Sequence, residues 1–353
     1  MRPKRLISVV DVHAEGEGGR VLLNAFPLVK GATMAERLEY AKAHLDGLRK
    51  LVLREPRGYP ALCANIIVPP ASPGADIGLI VLEQGGFRPM SGSNTICTVT
   101  ALLETQTLPA TEPVTNVVLD TAVGLVNVRA DVEAGKVTRV YVDNVPSFVA
   151  HRDAQIDVPT IGRIRVDVAF GGQFFVLVDA AELGLAIDRS HAKALTRIGA
   201  LIRKAAQQQL PVQHPTNPGI DQITLVMITA GSDTPGISAR NAVVCETGDV
   251  DFDDPDTWTG ALDRSPCGTG TCARMALLHA RGELPLEQDF VHQGILGTTF
   301  TGRLLGETQV GPYSAVLPQI SGRGWVTAIC SLVLDDSDPF QEGFTLGDIW
   351  GNT

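Results

Sequence analysis

The chain lacks any stretch approaching the roughly 20 apolar residues needed to cross a bilayer, which excludes a membrane-spanning helix. Cysteine is sparse. The six residues Cys63, Cys97, Cys245, Cys267, Cys272 and Cys330 contain no C-x-x-C pair, too few for a disulfide scaffold. They imply a reducing, cytoplasmic compartment. The seven histidines show no H-x-H or H-E-x-x-H spacing, so no metal is expected. Basic residues are outnumbered, 29 against 39 acidic, for a net charge of −10. That balance offers no electrostatic route to nucleic acid or anionic membrane, although local dipoles can still bind a small anion. There is no low-complexity tract, and AFGGQFF is not a complete dinucleotide fingerprint. Its Gly171-Gly172 reads as a bulge. The first residues are basic, but their apolar run, Leu6–Val10, is short and acidic residues follow, unlike a signal peptide.

What remains is a chain of 353 residues, 44% apolar and 19% charged, which is neither disordered nor fibrous. The length suggests two domains. We place the first at 1–160, with a C-terminal segment of about 325–353 packing back onto it, and the second at 161–324. Short β-rich segments bounded by Gly, Pro, Asn or Asp recur at Leu6–Val10, Arg20–Leu23, Ile77–Leu82, Val114–Leu119, Val137–Val142, Arg163–Val168 and Phe174–Val178. Others lie at Gln222–Ile228, Ala242–Cys245, Thr308–Val316 and Val326–Leu332. Helical patterns cover Met34–Leu53 and Asp188–Gln209. Thr95–Glu104 and Thr271–Arg281 are shorter and apolar on nearly all faces, which marks buried helices. The pattern is α+β.

The two buried helices repeat one another. MSGSNTICTVTALLE aligns with PCGTGTCARMALLHA, so that Ser91 matches Cys267, Gly92 matches Gly268 and Thr95 matches Thr271. In Arg264-Ser-Pro-Cys-Gly-Thr-Gly-Thr271, Pro266 is expected to end a strand. Gly268 and Gly270 permit a tight turn, and a helix is expected to start near Thr269–Thr271. A helix start binds anions such as carboxylates. It also lowers the pKa of a thiol, so Cys267 is expected as a thiolate able to remove a proton α to a carboxylate. Ser91 lacks a thiol's acidity, and the local sequence favours an ordinary capping serine. Asp11–Arg20 places His13, Glu15 and Glu17 in a glycine-rich turn, either the polar rim of a site or a solvated loop. The other five cysteines read as core.

The chain resembles the proline racemase family, which includes hydroxyproline epimerases and dehydratases. The resemblance runs nearly end to end. It rests on Asp11, His13, Gly16, Glu17 and Arg20, on ANIIVPP with Ala75-Asp76-Ile77-Gly78, and on MSGSNTICTVTALLE and AFGGQFF. It continues through His214-Pro215, Ala239-Arg240-Asn241, DRSPCGTGTCARMA, ILGTTFTGR and Asp338-Pro339-Phe340. It implies two pseudo-symmetric domains like those of diaminopimelate epimerase. Each would wrap a curved sheet around a central helix, and the helix starts would face a cleft that holds the substrate carboxylate. It also implies no cofactor, no metal and a homodimer. By position, Cys267 falls on the second catalytic cysteine. Gly268, Thr269 and Gly92 fall on backbone carboxylate donors, and Asp263 on the aspartate that holds the substrate amine. The chain departs from the pattern at Ser91, where the first catalytic cysteine stands, and at Ser93, where a histidine is usual.

An epimerase needs an acid/base group on each face of Cα, whereas a dehydratase needs one base and a departing hydroxyl. Family dehydratases pair a Cys with a hydroxyl residue, usually in the opposite order. The expected activity is therefore that of a hydro-lyase. Cys267 would take the Cα proton of trans-3-hydroxy-L-proline, Ser91 would assist loss of the 3-hydroxyl, and Δ1-pyrroline-2-carboxylate would form. The amides of Gly92, Ser93, Gly268 and Thr269 would hold the developing charge. The alternatives are a 4-hydroxyproline 2-epimerase, an enzyme with both activities and, more remotely, a non-catalytic binder of a proline analogue.

Overall fold

The computed structural model describes residues 5–347 and 349–350. The chain forms two compact units, one of residues 5–142 with 322–346, the other of residues 143–321 with the last described residues. The first contains β1 (Arg5–Ala14), β2 (Glu17–Leu22), α1 (Met34–His44), α2 (Asp46–Leu53), β3 (Cys63–Val68), β4 (Ile77–Glu83), β5 (Gly86–Arg88), α3 (Gly92–Glu104), β6 (Val114–Thr121), β7 (Gly124–Glu133) and β8 (Lys136–Asp143). The second contains β9 (Ser147–Val158), β10 (Gly162–Phe170), β11 (Phe174–Asp179), α4 (Ala192–Gln209), β12 (Ile223–Gly231), β13 (Ala239–Cys245), β14 (Ala261–Leu262), α5 (Gly268–Ala280), β15 (Phe290–Gln293), β16 (Thr299–Val310) and β17 (Tyr313–Gly322). Then β18 (Gly324–Leu334) returns to pair antiparallel with β1.

In the first unit β1 also pairs with β2, β2 runs parallel to β3, and β4 links β3 antiparallel to β6 parallel. In the second, β9 to β13 pair in succession, β13 continues to β15, and β16 joins β17. β17 pairs back onto β9, which closes the sheet. The α+β class is present, with one central helix in each unit. α3 packs on β1, β2, β3 and β18, and α5 on β9, β10, β11 and β16. Every residue of α3 but Glu104 is buried, as is most of α5, because apolar and small residues cover all their faces.

Several boundaries differ from expectation. The first division falls at 142/143, because β9 and β10 pair as a hairpin through residues 159–161 and both belong to the second unit. Met34–Leu53 is two helices broken at Leu45, where Asp46 and Gly47, poor residues for a helix interior, follow. Thr33 and Glu36 form a capping box that starts the first of them. Thr308–Val316 spans a turn at Gly311-Pro312 with φ +56° at Gly311, a Gly-Pro signal that ends β16 and starts β17. The sequence pattern leaves out β3, β5, β7, β9, β14 and β15, although in β7 Val126, Val128, Ala130 and Val132 alternate inward. Cys97 and Cys272 are core residues as expected, whereas Cys63 and Cys245 are half-buried and Cys330 is exposed on β18.

Candidate active site

The second unit presents Cys267 at the start of α5. The helix begins at Gly268, and β14 ends at Leu262, so a loop rather than a strand leads into Pro266. Asp263 organises that loop: its Oδ1 accepts the Ser265 N–H at 2.7 Å and the Ser265 hydroxyl at 2.8 Å. Ser265 Oγ in turn accepts the Cys267 N–H at 3.0 Å. Cys267 adopts φ +63°, ψ 110°, a strained conformation for a residue with a Cβ, of the kind that persists only where neighbours impose it.

Those neighbours form a buried polar layer. The Pro266 carbonyl accepts Asn241 Nδ2 at 2.9 Å and Thr271 Oγ1 at 3.3 Å. Asn241 Nδ2 also lies 2.9 Å from His292 Nε2, and Thr271 Oγ1 lies 2.9 Å from His292 Nδ1. The Asn241 amide donates, so Nε2 must accept. Nδ1 therefore carries the proton and donates to Thr271, whose own hydrogen goes to Pro266. His292 is fully buried, and burial with the nearby Arg274 lowers its pKa to about 3, which keeps it neutral. Gly171 closes the back of the helix start. It lies in the β10–β11 hairpin turn, not in a bulge, and a Cβ there would sit 2.6 Å from the Ala273 nitrogen and nearer still to the Thr269 carbonyl.

The first unit presents Ser91 at the start of α3, in extended backbone with φ −151°. Its position is that of a cap, but its side chain makes no capping bond, which corrects the reading of an ordinary capping serine. Ser91 Oγ instead accepts Asn94 Nδ2 at 3.0 Å and lies 3.4 Å from Ser93 Oγ. Asn94 Oδ1 accepts Asn65 Nδ2 at 2.8 Å. In both units the first intrahelical bonds are matched: Thr95 N–H to the Ser91 carbonyl at 3.0 Å, and Thr271 N–H to the Cys267 carbonyl at 2.9 Å. The amides of Gly92, Ser93, Gly268 and Thr269 thus precede the first helical donors, Thr95 and Thr271. Such groups carry the positive end of the dipole and suit a carboxylate.

The expectation of a lowered Cys267 pKa is wrong for the protein alone. Burial pushes the thiol well above its ordinary value, and the neighbouring Asp263 carboxylate raises it further. The Gly270 N–H pulls the other way but does not prevail. A helix start favours a thiolate, but desolvation beside a like charge outweighs it here. The Asp11–Arg20 turn is not a solvated loop: Glu15, Glu17 and Arg20 are buried. Arg20 grips Asp11 with two bonds of 2.8 and 2.9 Å and donates to the Val52 and Arg57 carbonyls, a structural tie between the first hairpin and α2. His13 stacks on Trp325 with ring centroids 5.0 Å apart. Sequence reasoning gave Ser265, Asn94, Asn65 and His292 no part in the two helix starts. Ser265, Asn94 and Asn65 stand inside the quoted motifs, but His292 lies on β15, and no sequence signal links it to Cys267.

A match to the proline racemase family spans residues 9–345, and the chain belongs to that family. Among its relatives is a 4-hydroxyproline 2-epimerase of Streptosporangium roseum, 44% identical over 98% of this chain and 100% of that one. A proline racemase of Clostridioides difficile is 37% identical over 98% of this chain and 100% of its own. The crystal structure of a hydroxyproline epimerase from Agrobacterium vitis, with bound trans-4-hydroxy-L-proline, superposes with a TM-score of 0.92. It is 39% identical and covers 99% of this chain and 98% of that one. These relatives overturn the expected dehydration of trans-3-hydroxy-L-proline: epimerases and racemases are isomerases, not lyases. The dehydratase expectation rested on the substitution of Ser91 for a cysteine, and relatives named as epimerases and racemases outweigh it.

Proposed function

We propose that this chain is a cofactor-independent 4-hydroxyproline 2-epimerase that inverts Cα of trans-4-hydroxy-L-proline. The observation that carries the reading is its likeness, over 99% of the chain, to the epimerase structure that holds this same compound. In this reading the substrate carboxylate takes the amides of Gly268 and Thr269 and those of Gly92 and Ser93. Asp263 holds the ring ammonium. That cation offsets the Asp263 charge which, after burial, raises the Cys267 thiol, so substrate binding itself shifts Cys267 toward the thiolate. Cys267 removes the Cα proton, the helix-start amides hold the negative charge that moves onto the carboxylate, and Ser91 returns a proton to the other face. The same groups exchange roles in the reverse direction. We place the enzyme in the cytoplasm as a homodimer acting on a small molecule.

The test is a proton NMR time course of trans-4-hydroxy-L-proline in D2O. Deuterium at Cα together with a new diastereomer is the expected result. Inversion of proline in preference to 4-hydroxyproline, or no exchange at all, sinks the reading. Loss of all exchange in Cys267→Ala is the accompanying expectation.

A further inference from the structure

We propose that Asn94 is the positioning residue that makes Ser91 a proton donor, an inference that rests on the epimerase reading. Ser91 is 7% exposed, and in so dry a place a bare serine gives up its proton poorly, because the alkoxide left behind is unsolvated. Asn94 supplies what water does not. Its Nδ2 lies 3.0 Å from Ser91 Oγ, and its Oδ1 is engaged by Asn65 Nδ2 at 2.8 Å. Both asparagines are buried, at 1% and 0% exposure.

The pairing fixes which way the amide points. Turning both amides over would put the Asn65 amide nitrogen where its Oδ1 now lies buried with no partner. An orphaned buried N–H is rarer and costlier than an under-used carbonyl, so the present orientation prevails. Gly19 makes the room: a Cβ there would lie 2.9 Å from Asn94 Oδ1. With one lone pair taken by Asn94, the Ser91 hydrogen turns away from that residue, toward Ser93 Oγ or a bound ligand.

The cycle balances. Cys267 takes the Cα proton, and the carbanion takes the proton of Ser91, leaving an alkoxide held by the Asn94 amide and the start of α3. Water returns a proton to Ser91 and accepts one from the Cys267 thiol, which restores the enzyme with no net change. In the opposite direction the held alkoxide is the base.

The experiment compares wild type, Ser91→Ala, Asn94→Ala and Asn94→Asp in D2O with each isomer of 4-hydroxyproline. Ser91→Ala identifies the isomer whose Cα hydrogen faces Cys267, as the one that still exchanges. Asn94→Asp keeps the bond from Asn65 and the side-chain shape, but presents Ser91 with an acceptor in place of a donor. Both Asn94 variants are expected to keep exchange from that isomer while inversion falls about 100-fold, the size associated with removing one donor from a developing oxyanion. Retained exchange also shows that they are folded. Unchanged inversion, or an equal fall in exchange and inversion, overturns the role of Asn94 while leaving the epimerase reading intact. A wild type that does not invert 4-hydroxyproline overturns both.

Discussion

His292→Phe tests the buried layer beneath Cys267. In wild type the ring is held neutral, with a pKa lowered to about 3, whereas an unfolded histidine titrates near 6.5. Between those values the unfolded chain binds a proton that the folded chain does not. Stability therefore falls as pH falls, by about 1.4 kcal/mol for each unit below about pH 6.5. By pH 4.5 this one residue costs about 3 kcal/mol. Phenylalanine forfeits the bonds to Thr271 and Asn241, about 1 kcal/mol each, but leaves both partners bonded to the Pro266 carbonyl. The variant is thus expected to be about 2 kcal/mol less stable than wild type at pH 7.5. It lacks the acid slope of His292, so the two stability curves should cross near pH 5, with the variant the more stable below. Urea unfolding of both proteins from pH 7.5 to 4.5 measures the difference, in which every other titrating group cancels. A difference that stays constant with pH would refute the assignment of a neutral, proton-excluding His292.

Three further outcomes follow from the same geometry. Gly171→Ala drives a Cβ into the first turn of α5, so a loss of about 3 kcal/mol and a matching fall in turnover are expected. An unchanged urea midpoint would contradict this. Asp263→Asn removes the charge that helps raise the Cys267 thiol. The limb of kcat/KM that rises with pH as the thiolate forms should move to lower pH, while KM increases as the ring ammonium loses its partner. A limb that does not move would show that burial alone sets the thiol. Arg20→Met strips Asp11 of its cation and two carbonyls of their donor, at about 3 kcal/mol. Urea unfolding checks it, and a change under 1 kcal/mol would be inconsistent with a buried Arg20 that holds a half-buried Asp11 and two carbonyls.

The local chemistry was legible because it is written in contiguous residues. Apolar residues on every face of Thr95–Glu104 and Thr271–Arg281 can only mean buried helices, and glycines directly before them mark tight starts. The strands that were missed or merged fail for equally local reasons. β7 carries Arg129 and Asp131 among its alternating apolar residues, and the β16–β17 hairpin hides its turn in a single Gly-Pro. The direction of the Cys267 pKa is not legible in the motif because burial, its largest cause, is not a property of the motif, and the effect of Asp263, four residues before the thiol, depends on how the loop between them folds.

By itself the sequence determined the α+β class, the family and the presence of a small nucleophile-type residue at each of two helix starts. Those features depend on residues within a few positions of one another, where spacing and backbone geometry suffice. Tertiary structure alone decided the tautomer of His292, the protonation of Cys267 and the partner of Ser91. The tautomer and the orientation of the Asn94 amide depend on groups distant in sequence and brought near by packing, His292 on β15 beneath Thr271 and Asn65 on β3 behind Asn94, while the Cys267 thiol depends on its burial in the folded chain. Hydrogen-bond direction and desolvation are set by what surrounds an atom, and that follows only once the chain has folded.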